Sequence, residues 1–162
     1  LKELEKGFAE KILESESYFE EGKSLLKSNQ PTKAVNAFET AMSLRPPTSE
    51  LRLYLLWAKI LSVPQTGIER YLTEIEADLN RIPPEDRHNS TYYFVKGLYL
   101  KQIGDLESAE KTIRHALSLT PNFMEAQREI NILSLQKKSN KQVDLLNADL
   151  KDVVGMLFKK KK

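Results

Sequence analysis

Eight positions of the chain recur, matched in kind, at an offset of 75 residues. Tyr18, Gly22, Leu25, Asn29, Ala34, Phe38, Ala41 and Pro46 are answered by Tyr93, Gly97, Leu100, Gly104, Ala109, Ile113, Ala116 and Pro121. Self-similarity constrains a fold more tightly than any single motif, because each copy must form the same supersecondary unit. Within each copy, small and large apolar residues alternate at steps of three and four, which is the helical period. The pattern runs over one segment, breaks at a turn and resumes over a second. Each copy is therefore a helical hairpin. One such pair cannot bury its apolar face alone, so pairs must stack on neighbours.

Read in order, residues 1–28 are helical, with Leu1, Leu4, Phe8, Ile12, Phe19, Leu25 and Leu26 apolar. Asn29 is a candidate cap, and Pro31 suits the first turn of the next helix, where its missing N–H costs nothing. That helix runs to about Leu44, stopped by Arg45-Pro46-Pro47. A third helix spans Glu50 to Ser62 and holds the sole tryptophan, Trp57. A fourth carries Ile68, Leu72, Ile75, Leu79 and Ile82 and ends at Pro83-Pro84. The fifth and sixth form the second copy, split at Gly104-Asp105, a helix terminator followed by a natural N-cap. Asn122 with Glu125 resembles a capping box for a seventh helix reaching about Lys138. Polar residues 137–141 predict a break, and Val143, Leu146, Leu150, Val153 and Leu157 predict a short eighth amphipathic helix before a Lys159–Lys162 basic tail. No segment alternates with period two long enough to be a strand, so the class is all-α.

The two copies resemble the tetratricopeptide repeat (TPR) family, whose unit is 34 residues. That family places an aromatic at its fourth position and a small residue at the eighth. A large residue follows at the eleventh, small ones at the twentieth and twenty-seventh, an apolar one at the twenty-fourth and proline at the thirty-second. Tyr18, Gly22, Leu25, Ala34, Phe38, Ala41 and Pro46 match all of these, as do Tyr93, Gly97, Leu100, Ala109, Ile113, Ala116 and Pro121. The 75-residue offset exceeds two units by about seven residues. The resemblance thus implies a stretched, degenerate middle repeat, with Trp57-Ala58 and Leu61 as first-helix anchors. The implied fold is an α-solenoid of antiparallel helix pairs in a right-handed superhelix. Its domain covers 1–138, with repeats at about 15–48, 51–84 and 90–121 and a capping helix at 122–138. The amphipathic segment 139–162 follows. A fainter likeness, carried by "LYLLWAKIL" and the "YYFVKGLYLKQIGDLESAEKTI" that follows it, is to TPR regions at the C-terminal ends of bacterial multidomain proteins.

Composition narrows the chemistry. A net charge of +2 favours neither nucleic acid nor an anionic membrane. The absence of cysteine removes disulfides and thiol chemistry and accords with a reducing cytoplasm. No apolar run of about 18 residues is present, and the charged opening LKELEKGFAEK is unlike a secretory signal. A start at Leu1 is read as a piece of a longer protein. His88 and His115 read as surface residues, and Asn89-Ser90-Thr91 as a capping cluster rather than a glycosylation site. No HExxH, Gly-rich phosphate loop or GxSxG occurs. The expectation is a protein with no catalytic residues, cofactor, metal or small-molecule substrate.

The resemblance also implies a binding face, since TPR domains line their concave surface with first-helix positions two, five, nine and twelve. Here these are Glu16, Phe19, Lys23 and Leu26, then about Arg52, Leu55, Lys59 and Ser62, then Thr91, Phe94, Leu98 and Lys101. Apolar and basic residues side by side suit a peptide with apolar anchors and acidic character. The competing reading is that Phe19, Leu26 and Leu98 simply pack against neighbouring helices. The chaperone-tail subtype, which clamps a terminal carboxylate, is set aside: its positions here hold Phe19, Lys23, Thr91 and Val95, of which one is basic. The expected function is a cytoplasmic scaffold or adaptor module that binds a protein or peptide. The alternative is a homodimer made by the amphipathic ends, Leu1–Leu13 and Val143–Phe158.

Overall fold

The computed structural model describes residues 1–159, with side chains described up to residue 156. Within them the chain forms seven α-helices: α1 (Lys2–Lys27), α2 (Pro31–Leu44), α3 (Ser49–Leu61), α4 (Ile68–Asn80), α5 (Ser90–Gln102), α6 (Leu106–Leu119) and α7 (Met124–Lys159). A single 3-10 turn, Pro84–Asp86, leads into α5. The described residues contain no strand. The expected Lys160–Lys162 end of the tail lies outside the described residues, as do the side chains of Leu157, Phe158 and Lys159.

The punctuation follows local chemistry. Thr48, Asn89 and Asp105 cap α3, α5 and α6, their side-chain oxygens accepting backbone N–H bonds from Leu51, Tyr92 and Ser108. Gly104 ends the α5 hairpin at φ +87°, a left-handed conformation that other residues adopt only at a cost. Two expected caps are corrected. Asn29 is left-handed at φ +56°, so it forms the turn, and Gln30 is the residue before α2. Asn122 lies outside α7, which starts at Met124, so no capping box forms there.

The outer pairs, α1–α2 and α5–α6, pack closest. In each, a glycine faces a large side chain: a Cβ at Gly22 would collide with the Phe38 ring, and one at Gly97 with Ile113. Ala34 and Ala41, then Ala109 and Ala116, are completely buried along the same seams. A serine opens both repeats with the same task. Ser15 donates to the Ala41 carbonyl at 2.8 Å, and Ser90 accepts from the Thr120 hydroxyl at 2.9 Å. The first bond ties the middle of α1 to a carbonyl in the last turn of α2, where carbonyls lack intrahelical donors, and the second ties the start of α5 to the residue after α6.

The middle pair differs. α3 packs more extensively on α2 and α5 than on α4. Leu72, Ile75 and Leu79 of α4, with Ile82 after it, meet a cluster that includes Leu53, Leu56 and Ile60 of α3. Large residues stand where the outer pairs have glycine and alanine, so α3 and α4 stay apart. Ala58, expected to close this pair, instead sits in the cluster of Ala34, Phe38 and Ala41. The expected register of the middle repeat is therefore wrong for α3.

The largest departure is α7. The break expected at 137–141 and the separate eighth helix are absent: one helix of 36 residues runs through. Residues 137–141 contain no glycine or proline, and polarity alone does not end a helix.

A candidate peptide-binding cleft

The first helices of the pairs lie side by side with α7, and their inner edges enclose a cleft of about 620 Å3. Lys23, Ser24, Leu26 and Lys27 of α1 form one wall. Tyr54 and Trp57 of α3 form the floor, and Phe123, Glu125 and Arg128 at the start of α7 form the other wall. The floor is part of a continuous aromatic ladder. Ring centroids of Phe19 and Tyr54 lie 5.4 Å apart, Tyr54 and Trp57 5.5 Å, Trp57 and Phe94 4.8 Å, and Phe94 and Phe123 4.8 Å. Phe19–Tyr54 and Trp57–Phe94 meet edge-to-face, and the other two pairs are tilted; such aromatic contacts add stability beyond area burial. The ladder joins the core of the first repeat to that of the last.

Charge is arranged around this floor. Lys23 pairs with Glu20 at 2.6 Å and lies 4.6 Å from the Phe19 ring centroid. The bond that the Lys23 ammonium donates to the Glu20 carboxylate raises the ammonium above its usual range. Burial raises the Tyr54 phenol, with Lys23 opposing the shift. Lys27 of α1 and Arg128 of α7 both line the cleft, together with the carboxylates of Glu20 and Glu125. Neither Lys27 nor Arg128 has an ion-pair partner among the described residues. Two unpaired cations beside an aromatic floor can hold carboxylates and an apolar side chain together.

The residues read from the sequence as one concave face separate into three groups. Lys23 and Leu26 line the cleft, and Phe19 lies beneath it, buried against Phe38 and Tyr54. Arg52, Leu55 and Lys59 turn toward α2. Leu55 packs with Ala34 and Phe38, Arg52 borders a small cavity with Met42 and Asp78, and Lys59 lies 3.7 Å from Glu39. On α5, Phe94 and Leu98 are buried, Thr91 is half-buried, and Lys101 is bonded to Glu129 of α7. Glu16 is engaged by Arg45. Sequence reasoning missed Tyr54, Trp57, Lys27, Phe123 and Arg128. The signal available for α3 was its two aromatics three residues apart, which share a helical face. The two histidines are exposed, His115 lying edge-on to Tyr93 at 4.2 Å between centroids.

Residues 15–48 and 90–123 each match the tetratricopeptide repeat family model. The chain carries two tetratricopeptide repeats. The TPR matches cover α2 with the second half of α1, and α5 with α6. The first TPR domain of human RPAP3 superposes with a TM-score of 0.53 at 21% identity, covering 80% of this chain and 96% of that one. The first TPR of Spaghetti (RPAP3), solved with the HSP90 peptide SRMEEVD, gives 0.51 at 20% identity, covering 78% and 95%. At this identity the likeness establishes the TPR fold and nothing finer. Comparison with curated proteins gives no match. No described helix is long and apolar enough to cross a membrane.

Proposed function

We propose that this TPR chain is a non-catalytic interaction module that captures an acidic, extended peptide segment of a partner protein in the cleft between α1, α3 and α7. The observation that carries the reading is the pair of unpaired cations, Lys27 and Arg128, lining the same cleft as the Tyr54–Trp57 floor. An aliphatic or aromatic side chain of the peptide rests on the floor, and carboxylates on either side of it meet the cations. The peptide bound by the Spaghetti TPR is itself acidic, which supports this choice of ligand chemistry. The four clamp positions named from sequence hold one base here, so recognition falls on side-chain carboxylates rather than on a chain terminus. We also read 1–138 as the interaction domain and α3–α4 as its degenerate middle repeat. A scaffold or adaptor role in the cytoplasm follows from that reading.

Trp57 is the only tryptophan in the chain and forms part of the floor, so its emission reports occupancy directly. Titration with acidic heptapeptides carrying one central Leu, Met or Phe should shift and saturate that emission. The double substitution Lys27→Glu, Arg128→Glu should weaken binding by tenfold or more, each charge-assisted bond being worth ~1.5–3 kcal/mol. Unchanged emission across the peptide set, or equal binding by the doubly substituted chain, would remove the cleft from the account.

A further inference from the structure

The three helices that enclose the cleft run in one direction. α1 and α2 are antiparallel, Ser15 bonding to Ala41. α2 and α3 are antiparallel as well, since Met42 borders the same small cavity as Arg52 while Glu39 lies 3.7 Å from Lys59. α3, α5 and α7 are parallel. Trp57 packs on Phe94 and Phe94 on Phe123, and farther along Gln102 reaches the Ile60 carbonyl and Lys101 bonds to Glu129. A level along α1 can therefore be matched to a level along α3 and α7.

Charge is sorted along this common direction. Toward the N-terminal ends of the three helices, carboxylates gather round the Tyr54 hydroxyl. Burial raises the Tyr54 phenol, Lys23 opposes that shift, and Glu50, Glu125 and Glu20 are all near enough to raise it further. Glu50 stands one helical turn before Tyr54 on α3, on the same face. Glu20 is engaged by Lys23, whereas Glu50 and Glu125 have no ion-pair partner among the described residues. The unpaired cations lie toward the other end. At ~1.5 Å per residue, Lys27 is ~10 Å beyond Glu20 on α1, and Arg128 is ~4.5 Å beyond Glu125 on α7. Two free carboxylates thus mark one end of the cleft and two free cations the other, with the Tyr54–Trp57 floor between them.

A uniformly acidic segment laid along this cleft satisfies Lys27 and Arg128 but brings like charge to Glu50 and Glu125, and such juxtapositions are penalised. An extended backbone advances ~3.3 Å per residue and turns successive side chains to opposite sides. Neighbours of an apolar anchor therefore reach both ends of the cleft, and two consecutive carboxylates reach both walls. We infer that the segment the cleft takes is bipolar, with a lysine or arginine next to its apolar anchor at the Glu50–Glu125 end and two consecutive carboxylates on the anchor's other side for Lys27 and Arg128. This rests on the cleft reading and narrows it: the carboxylates still meet the two cations on the two walls, and the cation is the added requirement.

Trp57 emission in the full chain tests this with four heptapeptides sharing a central Leu. The first has Lys on one side of the Leu and two Glu on the other. The second and third replace that Lys by Gln and by Glu, and the fourth exchanges the Lys with the Glu next to the Leu. The first should bind about fivefold more tightly than the Gln peptide, the scale of one exposed ion pair. The all-Glu peptide should bind more weakly than the Gln peptide, and the exchanged peptide should lose the advantage. Glu50→Gln with Glu125→Gln should abolish the difference between the Lys and Gln peptides and tighten the all-Glu peptide. Either change alone should narrow the difference, so the answer is readable even if the double variant folds poorly. Saturation by the Gln or all-Glu peptide at an affinity equal to that of the Lys peptide overturns the bipolar inference and leaves the cleft standing. A Lys advantage that survives the loss of both carboxylates overturns their part in it. Silence from every peptide removes the cleft and the inference together.

Discussion

The two outer repeats and the middle helix pair solve the same packing problem with opposite materials. In α1–α2 and α5–α6 the seam is made of Gly22, Ala34 and Ala41 and of Gly97, Ala109 and Ala116, and a single large residue, Phe38 or Ile113, fills the remaining space. In α3–α4 the seam is made of Leu56, Ile60, Leu72, Ile75 and Leu79, and the helices stand apart. The spread has a consequence for α3. Held mainly by α2 and α5, it presents Tyr54 and Trp57 to the inner surface and turns Arg52 and Lys59 toward α2. The irregular repeat, rather than either regular one, supplies the floor of the candidate cleft.

If that contrast is right, the outer repeats are broken by adding volume and the middle one by removing it. Gly97→Leu has the largest expected effect. Its Cβ would meet Ile113 and approach the Ala109 carbonyl at 3.3 Å, so backbone must move. A loss of ~3 kcal/mol is expected, the upper end of the range for overpacking. Melting at the parent temperature would show that the seam is elsewhere. Ile60→Ala empties the middle seam instead and should cost ~2–4 kcal/mol in urea unfolding. A cost below that of a surface substitution would mean that α4 collapses onto α3. Ser15→Ala removes the tie between α1 and the Ala41 carbonyl and should cost ~1 kcal/mol.

Asp105→Ala sharpens the comparison through pH. α6 has a carboxylate cap, whereas α4 begins after Gly67 at φ +72° with no side-chain cap. The bonds from Ser108 hold the Asp105 carboxyl below the usual carboxylate range. A folded pKa below the unfolded one means that the cap's full contribution is present above the ordinary value. It declines as pH falls through that value to the folded one, and is lost below it. Acid titration of stability should therefore be shallower for Asp105→Ala than for the parent, while Gly67→Ala should leave the slope unchanged. Equal slopes for Asp105→Ala and the parent would remove the charge from the capping argument.

How much of this was legible beforehand differs from one element to the next. The outer repeats were readable residue by residue, because close helix approach demands glycine or alanine at fixed offsets and few other patterns produce them. The capping by Asn89 and Asp105 was readable for the same local reason. The phase of α3 was not. A run such as LRLYLLWAKIL is apolar on nearly every face, so helical period alone cannot say which side meets α2 and which the cleft. The continuity of α7 was also hidden: residues 137–141 lack an apolar face, and a helix without a neighbour needs none. The cleft wall at Phe123 and Arg128 was invisible because it depends on where α7 lies against α1, some hundred residues earlier in the chain.

By itself, then, the sequence determined an all-α chain with two tetratricopeptide repeats 75 residues apart, through small residues whose only work is to let helices touch. The tertiary structure alone decided which aromatics share one floor, which cations remain unpaired beside it, and that the end of α7 projects with its apolar stripe uncovered. The physical reason is one of range. A seam between adjacent helices is encoded at steps of three and four, whereas a surface shared by α1, α3 and α7 exists only once the stacking of successive pairs has set their distance and rotation.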